Sequence, residues 1–135
     1  MSITKLAIKL ASPLPQLESF SRYLFIGPHP DDIEIGAGAT AAKLAENGKT
    51  VAFLCCTDGR YGSAAVPPEE LIPIRQAEAK ASAAALGVSD VRFLPFCDGG
   101  FYDARELTSA IAKVVGDFKP DVIFCPDPQV KSECH

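Results

Sequence analysis

Four short runs of aromatic, β-branched and aliphatic residues alternate with three helix-patterned stretches, and this alternation restricts the fold more than any other feature of the chain. Arg22-Tyr-Leu-Phe-Ile-Gly27 is apolar and ends in Gly-Pro, the pattern of a buried strand. From Ile35 to Asn47 apolar side chains recur at helical spacing and the stretch stops at Gly48, a residue suited to closing a helix. Thr50 to Cys56 predicts a second strand, Glu69 to Leu86 a second helix closed by Gly87, and Val91 to Leu94 a third strand. Pro95 to Asp103 reads as a loop. Ala104 to Phe118 predicts a third helix ahead of Lys119-Pro120, and Asp121 to Cys125 a fourth strand broken by Pro126. Residues 1–20, which hold Pro13 and Pro15, read as a lead-in segment, and 21–135 as one domain.

Strands alternating with helices are the signature of an α/β fold, a parallel sheet with helices on both faces. Right-handed crossovers and short connections leave few topologies, and strand order 3-2-1-4, the first half of a doubly wound Rossmann-like sheet, is the one expected. That order sets the tips of strands 1 and 4 side by side, where such sheets open a crevice. His29, Asp31 and Asp32 follow strand 1, while Asp127 and, further on, His135 follow strand 4. Both histidines of the chain are therefore expected at one crevice.

Composition narrows the partners. The net charge is -4 and no Lys/Arg run forms a basic stripe, so nucleic acid is not an expected partner. Nothing approaches the roughly 20 apolar residues of a membrane span. The stretch from Ile3 to Ala11 is broken by Lys5 and Lys9 and does not read as a signal peptide. A cytoplasmic protein without a membrane partner is expected. The five cysteines, Cys55, Cys56, Cys97, Cys125 and Cys134, are odd in number and form no C-x-x-C pair. Reduced, buried thiols are expected in place of disulfides or a zinc knuckle.

His29-Pro30-Asp31-Asp32 puts an imidazole and two carboxylates on one turn. Nitrogen with carboxylate oxygen suits zinc (Zn2+) or another divalent metal, and a second carboxylate outside the metal's shell could act as general base toward water. The same residues also suit a plainer role, with Asp31 or Asp32 capping the next helix and His29 serving as a turn residue. On residue type alone the two readings are evenly matched.

The stretch Gly27-Pro-His-Pro-Asp-Asp-Ile-Glu-Ile-Gly-Ala-Gly-Ala-Thr40 resembles the signature of the LmbE-like, or PIG-L, family of zinc-dependent N-deacetylases. Thr57-Asp-Gly-Arg-Tyr-Gly62 is similar to that family's loop after strand 2, and Arg75-Gln-Ala-Glu78 through Leu86-Gly87 to its Arg-x-x-Glu helix ending in Leu-Gly. The resemblance implies a Rossmann-like fold and removal of acetyl groups from N-acetylglucosamine-type or related small molecules. It also implies His29 and Asp32 as metal ligands, Asp31 as general base and Arg75 as a substrate contact, against a plain salt bridge for Arg75. His135 resembles the first histidine of the family's His-x-Asp-His segment, which would polarise the carbonyl and stabilise the oxyanion. A second register makes His135 itself the third ligand. Asp98, in Cys97-Asp-Gly-Gly100, is either a substrate contact or a turn residue.

Two positions depart from the family pattern: Arg60 stands for a usual Glu, and Gly38-Ala39 for Gly-Gly. If the third ligand lies past His135, the chain holds only the N-terminal part of the domain and the C-terminal part of the fold is missing. Two protein ligands would leave the metal weakly held, since catalytic zinc ordinarily has three. Little or no activity is then expected of the chain alone, and an uncovered sheet edge would favour a homo-oligomer. A different reading, a dinucleotide-binding module, rests on Gly36-Ala-Gly38, an incomplete G-x-G-x-x-G set apart from the strand by His-Pro-Asp-Asp.

Overall fold

Alternation within the apolar runs decides which face each side chain meets. In the computed structural model, which describes residues 16–127, Arg22–Gly27 forms β1, Thr50–Thr57 β2, Asp90–Phe96 β3 and Val122–Phe124 β4. Asp32–Glu46 forms α1, Pro68–Ala85 α2 and Ala104–Phe118 α3, with a 3-10 turn over Leu17–Ser19 ahead of β1. The four strands make one sheet in the order β3-β2-β1-β4, and every pairing is parallel. This is the α/β, Rossmann-like arrangement expected from the pattern.

Tyr23 and Phe25 of β1 and Val51 and Phe53 of β2 point to one face, where they pack with Ile33, Ala41 and Leu44 of α1 and Ala83 of α2. Leu24, Ala52, Leu54 and Cys56 point to the other, where Phe118 and the half-buried Ile111 and Val115 of α3 cover them. Both faces of β1 and β2 are thus buried, which is why these strands read as continuous apolar runs. Phe25 stacks on Phe124 of β4 at 4.5 Å between ring centroids and meets Phe53 edge-on at 5.7 Å. These contacts bind the short β4 to the centre of the sheet. Asp121 closes its entrance: one carboxylate oxygen accepts the backbone N–H groups of Ser21 and Arg22, each at 2.9 Å.

Several element bounds differ from the expectation, most by a single residue, and three of the differences have a physical reason. Helix α1 starts at Asp32, three residues before Ile35, because Asp32 and Glu34 place negative charge in its first turn and favour the helix N-terminus. Strand β3 continues through Pro95 to Phe96; it is an edge strand, where proline is tolerated. The ladder of β4 is limited to three residues, Val122–Phe124, so Cys125 lies beyond it and is exposed, contrary to the expected burial. Cys97 is half-buried, whereas Cys55 and Cys56 are buried; all four are free thiols, and Cys134 lies outside the described residues. Burial pushes the Cys55 thiol up to about 12 and that of Cys56 to about 11, so both stay protonated and inert. Among the described residues no helix is long and apolar enough to cross a membrane.

The stacked and edge-on rings around Phe25 predict that Phe25→Ala lowers the unfolding free energy by about 3–5 kcal/mol, measured by urea titration.

Candidate active site

The turn after β1 is tied down at several points. The Pro28 carbonyl accepts both the backbone N–H of Thr57 (2.9 Å) and its hydroxyl (2.8 Å), which joins the tip of β1 to the end of β2. Two residues on, Gly59 has φ +66° and runs against Pro30; a Cβ there would sit 3.0 Å from the proline ring. At Gly27 a Cβ would meet Ile33 at 2.8 Å, so glycine is what lets α1 start directly over the strand end.

Within the turn, Oδ2 of Asp32 accepts the backbone N–H of His29 at 2.8 Å and stands 3.0 Å from Nδ1 of the same residue. On the far side of the ring, Nε2 of His29 lies 3.1 Å from Oδ1 of Asp98, from the loop after β3. Both side chains are partly exposed, at 27% and 20%. The imidazole is therefore flanked by a carboxylate at each nitrogen. Asp98, open at first between substrate contact and turn, is in contact with His29.

Asp31 is the residue before α1, yet its side chain caps nothing. Its Oδ2 instead accepts a hydrogen bond from Nη2 of Arg75 at 2.7 Å, and the same nitrogen donates to the Pro30 carbonyl at 2.8 Å. Nη1 of Arg75 donates to Glu78 at 2.9 Å. Arg75 thus carries the helix-face salt bridge and also grips the turn; in this structure its partner is Asp31. Burial pulls the Arg75 guanidinium down, but the Asp31 and Glu78 carboxylates outweigh it and hold it above its ordinary value. Its buried Nε has no hydrogen-bond partner among the described residues. Asp31 itself is 49% exposed, so the carboxylate opens to solvent beside the His29–Asp32 pair.

A group that sequence reasoning left aside supports this arrangement. Asp58, at the end of β2, is only 4% exposed. Its Oδ2 accepts from Nε (2.9 Å) and Nη2 (2.7 Å) of Arg60, and its Oδ1 from the backbone N–H groups of Arg60 and Asp98, each at 3.2 Å. The Asp-x-Arg spacing was the available signal, but nothing local shows that the partner loop follows β3. Burial raises the Asp58 carboxyl, yet the Arg60 side chain and the two backbone N–H groups more than offset it and leave it below its ordinary 3.8. Arg60, the departure from the family pattern, holds Asp58 and reaches Glu69 at 3.0 Å.

Between the tips of β1 and β4 and the start of α1 lies a crevice of about 490 Å³, lined by Gly27, Pro28, Asp32, Ile33, Phe124 and Pro126 among others. Asp32 brings the turn's chemistry to its wall. Asp127 follows β4 and is exposed, while His135 and with it the expected convergence of both histidines lie outside the described residues. Among the described residues, no group of three or more His, Cys, Asp and Glu side chains could hold a metal ion. His29 and Asp32 nevertheless suit part of such a site. Their facing donors are 3.0 Å apart, near the roughly 3.3 Å that separates two nitrogen or oxygen ligands of one tetrahedral ion. A carboxylate behind the ring, as Asp98 supplies, is the usual backing of a metal-binding histidine.

The dinucleotide reading fails on geometry. Gly36 and Gly38 lie inside α1, where Gly38 packs toward Leu86, and not in the strand-to-helix turn that would wrap a pyrophosphate.

Fold and turn together define an α/β protein built around the crevice of a doubly wound parallel sheet, with an imidazole and carboxylates gathered at the tip of its first strand. The family model described as "PIG-L: GlcNAc-PI de-N-acetylase" matches residues 24–135, and the chain belongs to that family. It is 36% identical to the diacetylchitobiose deacetylase of Thermococcus kodakarensis over 135 residues, 98% of this chain and 49% of that protein. With the 1D-myo-inositol 2-acetamido-2-deoxy-alpha-D-glucopyranoside deacetylase of Kineococcus radiotolerans it shares 34% identity over 153 residues, 89% of this chain and 42% of the relative. Among solved structures, the N,N'-diacetylchitobiose deacetylase from Pyrococcus horikoshii, complexed with its inhibitor MPG, superposes with a TM-score of 0.82 at 31% identity. That match covers all of this chain and 54% of the other. The chain spans about half the length of the relatives it matches.

The depressed Asp58 carboxyl fixes a sign. A group lowered in the folded state contributes stability that is fully present above its unfolded value and is lost as pH falls through the folded value. Urea midpoints are therefore expected to drop as pH falls below about 4. Asp58→Asn should flatten that part of the profile while lowering stability at neutral pH.

Proposed function

We propose that these residues form the strand-1 half of the reaction centre of a metal-dependent N-deacetylase acting on an N-acetylglucosamine-type or related N-acetylated small molecule. The observation that carries the proposal is the His29–Asp32 donor pair, of which Asp32 lines the crevice, with Asp31 beside it and turned outward. The deacetylase names of the relatives support the reaction class. Residues 21–135 are assigned to this domain and 1–20 to a lead-in.

His29 and Asp32 would hold a divalent cation, with zinc the metal the resemblance implies, and when bound it would polarise the amide carbonyl and favour ionisation of water. The reaction adds water across the amide C–N bond to give acetate and a free amine. Asp31 serves as general base: it accepts the proton of the attacking water as the C–O bond forms, then returns it to the amine nitrogen as the C–N bond breaks. Arg75 holds one Asp31 oxygen at 2.7 Å, while the other accepts no hydrogen bond among the described residues and is the one available for proton transfer. His135 is assigned the oxyanion contact, a role in which a fixed donor counts for much. Arg75 and Asp98 are assigned to the substrate side of the crevice as well as to the contacts described above.

The test is acetate release from an N-acetylglucosamine derivative by the protein bearing these residues, with metal content measured on the same samples. Asp31→Asn is expected to cut turnover by about 10²–10⁴-fold with metal retained, the size of a lost general base. His29→Ala should lose metal and turnover together. Undiminished turnover in Asp31→Asn, or metal unaffected by His29→Ala, would contradict the assignment.

A further inference from the structure

The loops after β2 and β3 each contain a tight turn, and the two turns are tied to one another. The backbone N–H of Gly62 donates to the Gly59 carbonyl, and that of Gly100 to the Cys97 carbonyl, each at 3.1 Å. Between the loops, the Asp98 N–H donates to Oδ1 of the buried Asp58 at 3.2 Å, and the Asp58 N–H to the Phe96 carbonyl at 3.0 Å. A side chain carried on such a turn keeps a fixed place on the rim above the strand ends.

Tyr61 belongs to the first turn, and its ring lies against the second: a Cβ on Gly99 would stand 3.6 Å from Cδ2 of the tyrosine. The same turn packs on Arg75 at its other flank, where a Cβ on Gly59 would stand 3.7 Å from Cγ of the arginine and one on Gly62 3.9 Å from its Nε. Tyr61 is therefore carried between Arg75 and the neighbour of Asp98, the two residues assigned to the substrate side of the crevice. The ring is nevertheless 61% exposed, and its hydroxyl makes no hydrogen bond among the described residues. A lone exposed ring elsewhere on a surface needs no explanation. This one is rigidly held at the mouth of the site.

We propose that Tyr61 is a specificity-determining residue that stacks on a pyranose ring of the substrate. A pyranose turns C–H groups to its faces and hydroxyls to its edge, and the slightly positive C–H hydrogens suit the negative face of an aromatic ring. Tyrosine has only two side-chain torsions, and a ring already fixed by its turn loses little freedom when a ligand covers it. The proposal rests on the N-acetylated sugar reading above, and deepens it by naming the residue that favours cyclic saccharides over other N-acetyl amides.

The chain has no tryptophan, so Tyr61→Trp introduces a single indole at this point and gives a readout independent of turnover. In chelator-treated protein its emission is expected to shift on titration with N-acetylglucosamine or N,N'-diacetylchitobiose. The shift should be much smaller with N-acetylglucosaminitol, which carries the same groups on an open chain. Phe20→Trp, ahead of β1 at the opposite end of the sheet, should respond to none of them. In acetate-release assays Tyr61→Ala should raise KM for the sugar by about five- to ten-fold with kcat little changed, the size of one lost aromatic contact. Tyr61→Phe, which keeps the ring, should recover the lower KM. Emission from Tyr61→Trp that ignores both sugars, or shifts equally with the open-chain compound, or a KM unchanged in Tyr61→Ala, would overturn the proposal. A sugar-specific shift in protein that releases no acetate even with metal supplied would support the stacking role and count against the deacetylase reading alone.

Discussion

One carboxylate oxygen organises the site. Oδ2 of Asp32 takes the backbone N–H of His29 and faces the ring of the same residue, so backbone and side chain of the histidine are fixed from one point. Because Asp32 is also the first residue of α1, its position is set by the helix, and the helix by packing of Ile33, Ala41 and Leu44 on the sheet. The turn is therefore an extension of the core. A displaced α1 would separate the two donors, and a bulkier residue at Gly27 would displace α1.

Each neighbouring loop secures a different part of the same turn. The end of β2 takes the Pro28 carbonyl through Thr57, α2 grips Pro30 and Asp31 through Arg75, and the loop after β3 reaches the outer ring nitrogen through Asp98. Three elements far apart in sequence thus converge on four consecutive residues. This is the benefit of the order β3-β2-β1-β4: the carboxyl ends of the parallel strands lie together, and the loops that follow them share one rim. Charge is arranged in the same way, with Arg75 beside Asp31 and Arg60 beside Asp58, so that two of the carboxylates gathered near the turn are balanced by guanidinium groups.

Much of this was legible in the chain itself. The runs of β1 and β2 are buried on both faces and announce themselves as unbroken apolar stretches, and α3 was bounded correctly because Asp103 caps it and Lys119-Pro120 ends it. His29, Asp31 and Asp32 were legible as a constellation because they are contiguous. Non-local contacts were not. Arg75 lies 44 residues from Asp31, and neither helical spacing nor residue type shows that its guanidinium is committed to that carboxylate. Nor is the burial of Asp58 legible locally, since it depends on Arg60 folding over it and on a loop 40 residues away. The start of α1 was misplaced for a local reason: Pro30-Asp31-Asp32 reads as loop by composition, while the helix begins as soon as the proline is passed.

Whether the tip of β1 grips a divalent cation through His29 and Asp32 is decided by zinc K-edge X-ray absorption on the protein with one equivalent of Zn2+. A first shell of nitrogen and oxygen at about 2.0–2.2 Å is expected, with the outer-shell scattering of an imidazole that is lost in His29→Ala. A first shell dominated by sulfur at about 2.3 Å, or a spectrum unchanged by that substitution, would contradict it.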